Sequence, residues 1–358
     1  MALKANTISK LKAVFGITIF GMIVGPLFTC IAFGFDIERA IKGFVAGFLI
    51  TFLSGIFEKI IFPTKIKKLK FSVVLLIRTL VYIFVITFSV IMVWVVHESM
   101  INSRSPIATL MTDDFKHFMT KGDFPYIFIF AITTSFLINF LFQLNDLLGK
   151  GVLLSYITGK YHKPKIEERF FMFLDLESST TIAEAIGPVK YHNFMNAYFY
   201  DINEPIAESK GEIYQYVGDE VVISWKKSNG INKTNCISCY FKIKETLDSL
   251  QDKYLKEFGL LPGFKAGLHF GEAVIGEIGD SKKDIVFHGD VMNTASRIQG
   301  QAKVLNKQLL ISDEALKHLK FNGEYKIENM GKFKLKGKEI ETKIYSVEPL
   351  PLHESSTR

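Results

Sequence analysis

Residues 212–225 read EIYQYVGDEVVISW, and their reading decides the fold of the second half of the chain. Two short runs rich in Ile, Val, Tyr and Trp, 212–217 and 221–225, flank Gly218-Asp219-Glu220. That is the pattern of two antiparallel strands joined by a tight turn. Upstream, 170–176 reads as a strand ending on Asp175, and about 182–209 as helical, interrupted by Gly187 and Pro188. Downstream, a polar helix covers roughly 231–257, and 264–270 with 273–278 reads as a second hairpin about Gly271-Glu272. A helix follows at 291–302. The order β-α-β-β-α-β is the ferredoxin-like α+β arrangement, which by itself implies no reaction type.

The first half is chemically different. The chain has 358 residues, a net charge of +7 and 33 Phe, with a mean hydropathy of +0.22. Apolar residues crowd the first half and Lys, Asp and Glu the second, so each half is read alone. Four apolar stretches, about 13–34, 41–57, 79–96 and 124–144, approach the roughly 20 residues needed to span a bilayer. The first is too long for the apolar core of a cleaved signal peptide, and another span follows it directly.

Lys4, Lys10 and Lys12 precede the first span, and Lys59, Lys65, Lys67, Lys68 and Lys70 fill the connection between the second and third. The positive-inside rule then predicts both chain ends on the cytoplasmic side of the membrane. The same rule explains the basic excess through the lipid bilayer rather than through nucleic acid. Arg78, at the edge of the third span, is expected to snorkel to the headgroups. Asn139, within the fourth, is expected in a helix–helix contact worth about 1 kcal/mol. The expected organisation is a four-span domain (1–144), a juxtamembrane linker (145–169), a second folded domain (170–348) and a tail (349–358). Apolar positions at Leu147, Leu148, Val152, Leu153, Leu154 and Ile157 make the linker amphipathic. Cys236 and Cys239 form a lone C-x-x-C with no second ligand pair, and Cys30 lies in an apolar run; none suits zinc or a disulfide framework.

The chemistry lies where the carboxylates fall. Asp175 ends the first strand and Asp219 tips the next hairpin, so both converge on one point. Oxygen donors without His or Cys suit Mg²⁺ or Mn²⁺. After Asp175, Leu176-Glu177-Ser178-Ser179-Thr180 opens a helix whose free N–H groups and hydroxyls suit a triphosphate. Asn293 and Arg297 share one helical face, and Arg beside a transferring phosphoryl group stabilises its developing charge. Lys334, Lys336 and Lys338 alternate along an expected late strand.

FLDLESST (173–180), YVGDEVVISW (216–225), FKAGLHFGEAVIGEIG (264–279) and GDVMNTASRI (289–298) resemble, in order, the motifs of class III adenylate and guanylate cyclases, membrane-bound bacterial type. The resemblance covers about residues 168–348. It implies that Asp175, Asp219 and the Leu176 carbonyl hold two Mg²⁺ or Mn²⁺ ions. It also implies that Asn293 positions the ribose, Arg297 stabilises the α-phosphoryl transition state, and Lys336 joins Ser178, Ser179 and Thr180 on the phosphates. The family's metal Asp residues work with the Asn and Arg of another catalytic domain, which implies a homodimer with shared sites. The pattern departs at the base. Gln215 stands where the family usually has Lys for adenine or Glu for guanine, and Val286 where adenylate cyclases usually have Asp or Thr. A Gln amide donates and accepts, so it fits either base edge; ATP is favoured over GTP as the family's commoner substrate. Many membrane-bound relatives have six spans where four are counted here. The readings carried forward are adenylate cyclase, guanylate cyclase, and an inactive cyclase-like receptor.

Overall fold

The computed structural model describes residues 2–62, 69–149, 151–321 and 323–350. It divides into two compact units, Met1–Leu148 and Gly149–Arg358.

The first unit is helical: α1 (Ala2–Phe33), α2 (Ile37–Ile56), α3 (Phe71–Ile101), the short α4 (Pro106–Leu110) and α5 (Asp113–Thr120), and α6 (Phe124–Leu148). Among the described residues, four segments are long and apolar enough to cross a membrane: Leu11–Phe33, Ile37–Ile61, Phe71–Ile101 and Phe124–Leu148. The second reaches that length because a π-helical turn, Phe57–Ile61, continues α2 beyond the expected end. Lys65, Lys67 and Lys68, on which the topology reading partly rests, lie outside the described residues.

Helices α1 and α2 meet backbone to backbone. A Cβ on Gly25 would stand 2.0 Å from the Gly43 carbonyl oxygen, and one on Gly47 2.2 Å from that of Gly21. Small residues at such a crossing let dispersion act over a long contact where lipid removes the hydrophobic drive. Gly25→Leu is therefore expected to part this hairpin. Overpacking costs about 1–3 kcal/mol where side chains yield, and here the obstacle is main chain. Gly16→Leu, which meets nothing within 4 Å, should be tolerated. Thermal unfolding of both variants in detergent checks the contrast.

Two expectations for polar residues change. Arg78 does not snorkel; it pairs with Glu58 at 3.4 Å and lies over the Phe62 ring at 5.5 Å, with Tyr82 also donating to Glu58 at 2.8 Å. Asn139 is buried as expected, but its amide donates to Ser135 one turn back on its own helix, at 2.8 Å.

The second unit begins with α7 (Val152–Ile157), a short helix that leaves Leu154 and Ile157 exposed. Strand β1 (Lys165–Leu176) starts before the expected residue 170 and takes residues 165–169 from the linker. Then follow α8 (Ser179–Ile186), α9 (Pro188–Glu208), β2 (Glu212–Val217), β3 (Glu220–Lys226), α10 (Lys227–Ile231), α11 (Asn235–Ser249) and α12 (Gln251–Phe258). The chain continues with β4 (Phe264–Ile278), β5 (Asp284–His288), α13 (Asp290–Val304), β6 (Leu309–Ser312), α14 (Asp313–His318), β7 (Tyr325–Phe333) and β8 (Thr342–Pro349). The sheet order is β2-β3-β1-β4-β6-β8-β7, with β5 on β4.

Central strand β1 is covered on both faces. Phe170, Met172, Leu174 and Leu176 face the core with Phe194, Tyr198 and Ile202 of α9. Phe171 and Phe173 meet Val291 and Ala295 of α13. This is why the strand reads as a continuous apolar run rather than an alternating one. Cys236 and Cys239 are buried in the first of these cores, and burial raises both thiols; they are packing residues.

Two expected elements are corrected. There is no hairpin at Gly271-Glu272: β4 runs unbroken, pairing with β1 from Leu176↔Phe264 to Lys165↔Ile275. Gly271 is there for close packing, since a Cβ would come within 3.2 Å of the Val291 side chain; the turn comes later, between β4 and β5. Nor do Lys334, Lys336 and Lys338 alternate on a strand. β7 ends at Phe333, Leu335 is buried, and the backbone turns with Lys338 N–H donating to the Leu335 carbonyl at 3.0 Å.

Candidate active site

Strands β1 and β3 pair with Asp175 directly opposite Glu220. The β2–β3 turn brings Asp219 alongside, with Gly218 at φ +63° in the left-handed region such tight turns require. Two half-buried carboxylates thus face each other as the sequence predicts, and no ion pair to either forms among the described residues. Burial, then the charge of Asp219, raises the Asp175 carboxyl above its ordinary value. Glu220 is pushed up to about 7 by burial first and by both aspartates second. Such shifts mark a place where negative charge awaits a cation. Among the described residues no group of three or more His, Cys, Asp or Glu forms a protein-only metal cage. Two carboxylates and a carbonyl, all hard oxygen donors, instead fit ions that draw their remaining ligands from phosphate and water.

Directly after Leu176 the chain turns. Glu177 N–H donates to the Gly263 carbonyl at 2.7 Å, and Ser178 takes φ +57° before α8 begins at Ser179. The first helical bond closes from Ile182 N–H to the Ser178 carbonyl, at 2.9 Å. The N–H groups of that first turn therefore look outward, where an anion would sit. A cleft of about 880 Å³ extends from Ser179, Thr180 and Asp219 past Tyr191, His192 and Asn196. The last three were not found from sequence, because they are a helix face that becomes a wall only when α9 packs beside the β2–β3 turn.

Helix α13 carries Asn293 and Arg297 on its outer side; Val291, Ala295 and Ile298 face the sheet. Two residues beyond Arg297, about 200° round the helix, Gln299 donates to Asp175 Oδ2 at 3.2 Å. Gln299 was also missed, since nothing local links it to a strand over a hundred residues away. The 336–338 turn rests against Arg297: the guanidinium lies 3.5 Å from where a Cβ on Gly337 would stand. Lys338 pairs with Asp290 at 2.8 Å, and Lys336, next to Gly337 in the chain, is exposed.

The two base positions lie on separate strands, Gln215 on β2 and Val286 on β5. The strands are joined through their neighbours, Phe287 N–H donating to the Tyr214 hydroxyl at 3.3 Å. Gln215 follows a register irregularity between Ile213 and Gln215 and is exposed; Val286 is half-buried.

Residues 162–349 match the family model described as "Adenylate and Guanylate cyclase catalytic domain". The chain is 36% identical over 212 residues to "Adenylate cyclase 2" of Rhizobium meliloti (strain 1021), covering 59% of this chain and 58% of that protein. It is 29% identical over 183 residues to "Adenylate cyclase" of Anabaena cylindrica, covering 49% and 36%. The chain thus spans little more than half the length of the first relative. Among solved structures, a bacterial light-regulated adenylyl cyclase superposes with a TM-score of 0.51 at 22% identity, over 62% of each chain, which supports the fold. With the mixed sheet, the paired aspartates and the outer face of α13 in place, the chain belongs to the adenylate and guanylate cyclase catalytic domain family.

Proposed function

We propose that this protein is a membrane-anchored nucleotide cyclase that converts ATP to cyclic AMP and pyrophosphate. The observation that carries the reading is the Asp175–Asp219 pair, half-buried, mutually repelling and without an ion-pair partner among the described residues. Asp175, Asp219 and the Leu176 carbonyl would hold two Mg²⁺ or Mn²⁺ ions. Bound there, such ions lower the pKa of the ribose 3′-hydroxyl and neutralise the triphosphate.

The other residues bind and orient. The first turn of α8, with Ser178, Ser179 and Thr180, cradles phosphate oxygens, Asn293 orients the ribose, and Gln215 with the backbone around Val286 reads the base. The 3′-oxygen attacks the α-phosphorus, its proton passes to solvent water, and the bond from the α-phosphorus to the pyrophosphate oxygen breaks, releasing pyrophosphate. Arg297 neutralises the charge that builds on the α-phosphoryl oxygens, and Lys336 steadies the phosphates.

The geometry of α13 supports a homodimer. The helix turns Gln299 onto its own chain's Asp175 and Arg297 almost the opposite way, which supports the reading that Arg297 serves a second copy's metal pair. The four long apolar helices support insertion in a membrane. The Lys-rich segments before the first span and between the second and third support a plasma (inner) membrane orientation with both chain ends and the catalytic unit in the cytoplasm, where nucleoside triphosphates are.

The deciding assay incubates purified full-length protein with ATP and with GTP under Mn²⁺ and measures both cyclic products. Cyclic AMP in excess is expected. Cyclic GMP in excess would reassign the substrate, and neither product would leave an inactive receptor.

Glu220 sets a pH dependence. Its ordinary value is 4.5 and the fold raises it to about 7. The carboxyl therefore favours the metal-free folded state below about 4.5, and that contribution is lost as pH rises through about 7. Thermal unfolding of the metal-free protein should show a midpoint falling across this window, and Glu220→Gln should flatten the fall.

A further inference from the structure

The geometry points to a ligand site inside the membrane unit, built for a single-chain amphiphile with an ammonium head group. Helix α1 packs on α2, α2 on α3 and α3 on α6. Helix α6 meets α1 through the stacked rings of Phe28 and Phe130, 5.1 Å apart. Between these helices lies a cavity of about 750 Å³, within the roughly 300–1,000 Å³ of small-molecule sites.

The walls are apolar and aromatic, including Val24, Ile127 and the stacked pair Trp94 and Phe118, 4.7 Å apart. The hydroxyls of Thr29, Thr51 and Thr134 also reach the cavity, but each donates back to its own helix, at 2.9, 2.6 and 2.6 Å. The wall therefore asks no hydrogen-bond acceptor of its occupant, which suits an alkyl chain.

The charged residues gather at one end, where α1 stops and α2 and α6 start: Asp36, Glu38, Arg39, Lys42 and Asp123. Both cations there are engaged. Lys42 pairs with Glu38 at 2.7 Å; Arg39 pairs with Asp36 at 4.0 Å and donates to the Phe33 carbonyl. Glu38 is held a second time by His97, at 3.1 Å. Asp123 forms no ion pair among the described residues. The mouth thus offers one uncommitted carboxylate beside aromatic faces, and that pairing attracts an ammonium rather than an anion. On the proposed topology this end faces away from the cytoplasm, so the site would report an amphiphile arriving from outside.

The test uses the full chain in nanodiscs and the fluorescence of Trp94, which lines the cavity. The probe is a dodecyltrimethylammonium brominated at its chain end, bromine being a short-range quencher. Saturable quenching is expected, lost in Trp94→Phe, where Trp225 in the catalytic core is the remaining indole. Asp123→Asn should weaken the apparent affinity about threefold, the worth of one solvent-exposed ion pair. Equally long brominated sulfate or glycoside probes should not saturate. Quenching that rises only with partition into the disc, equal saturation by the sulfate or glycoside, or an unchanged affinity in Asp123→Asn would each overturn the proposal. Those outcomes would assign the cavity to bulk lipid or to a neighbouring copy. None depends on cyclase activity, so this test and the two-substrate assay fail independently.

Discussion

Replacing Asp175 or Asp219 with Ala is expected to reduce cyclic nucleotide formation by on the order of 10³-fold or more. A metal-held transition state is worth several kcal/mol. The protein should not unfold as a result. The two carboxylates repel each other in the metal-free state, and Asp175 is raised by burial and by Asp219. A carboxyl raised in the fold costs stability once pH exceeds that raised value, so removing it should hold or raise the unfolding midpoint near neutral pH. Loss of product together with an undiminished midpoint separates chemistry from folding. A midpoint that collapses would show that the pair is structural. Mn²⁺ should also cease to raise the midpoint in either variant, because a ligand stabilises only the state that binds it.

Arg297→Ala is expected to lower turnover by about 10³-fold, within the range for an arginine on a transferring phosphoryl group. Its sharper test is complementation. If each site takes its aspartates from one copy and its Asn293 and Arg297 from the other, the Asp219→Ala and Arg297→Ala proteins are each inactive alone. Mixed and allowed to exchange, about half the dimers contain one of each, and each mixed dimer has one whole site. About a quarter of wild-type activity should return. No recovery, with exchange shown by tagged copies, would mean that each chain builds its site from its own residues. Gln299 supports the shared arrangement, since it ties the opposite side of α13 to the same chain's Asp175 at 3.2 Å.

Much of this site is legible in the sequence. Asp175 and Asp219 could be placed because a strand end and a hairpin tip are local features, and the pairing of β1 with β3 follows from the β-α-β-β order of the elements. Asn293 and Arg297 could be placed on one face because helical periodicity is local too. The misreadings share a cause. Gly271 looks like a turn in sequence, yet its missing side chain makes room for Val291 of α13, a contact made only in the folded sheet. Lys334, Lys336 and Lys338 alternate on paper, but burial of Leu335 and the Lys338–Asp290 pair bend that segment into a turn against Arg297. Arg78 reads as a snorkelling residue because its partner Glu58 belongs to a different helix.

Periodicity, apolar run length and turn chemistry act between near neighbours, and they were enough to divide the chain into four membrane-length helices and a βαββ-based catalytic unit. They also named the four residues on which the proposed reaction rests. Long-range packing supplied the rest: Gln299 on Asp175, Glu220 raised between two aspartates, α9 walling the cleft, and the glycine seam of α1 and α2. The charged mouth over an aromatic cavity also belongs to this second group. Each of these depends on groups far apart in the chain sharing one low-dielectric space, and such interactions leave no period or spacing to read in the sequence.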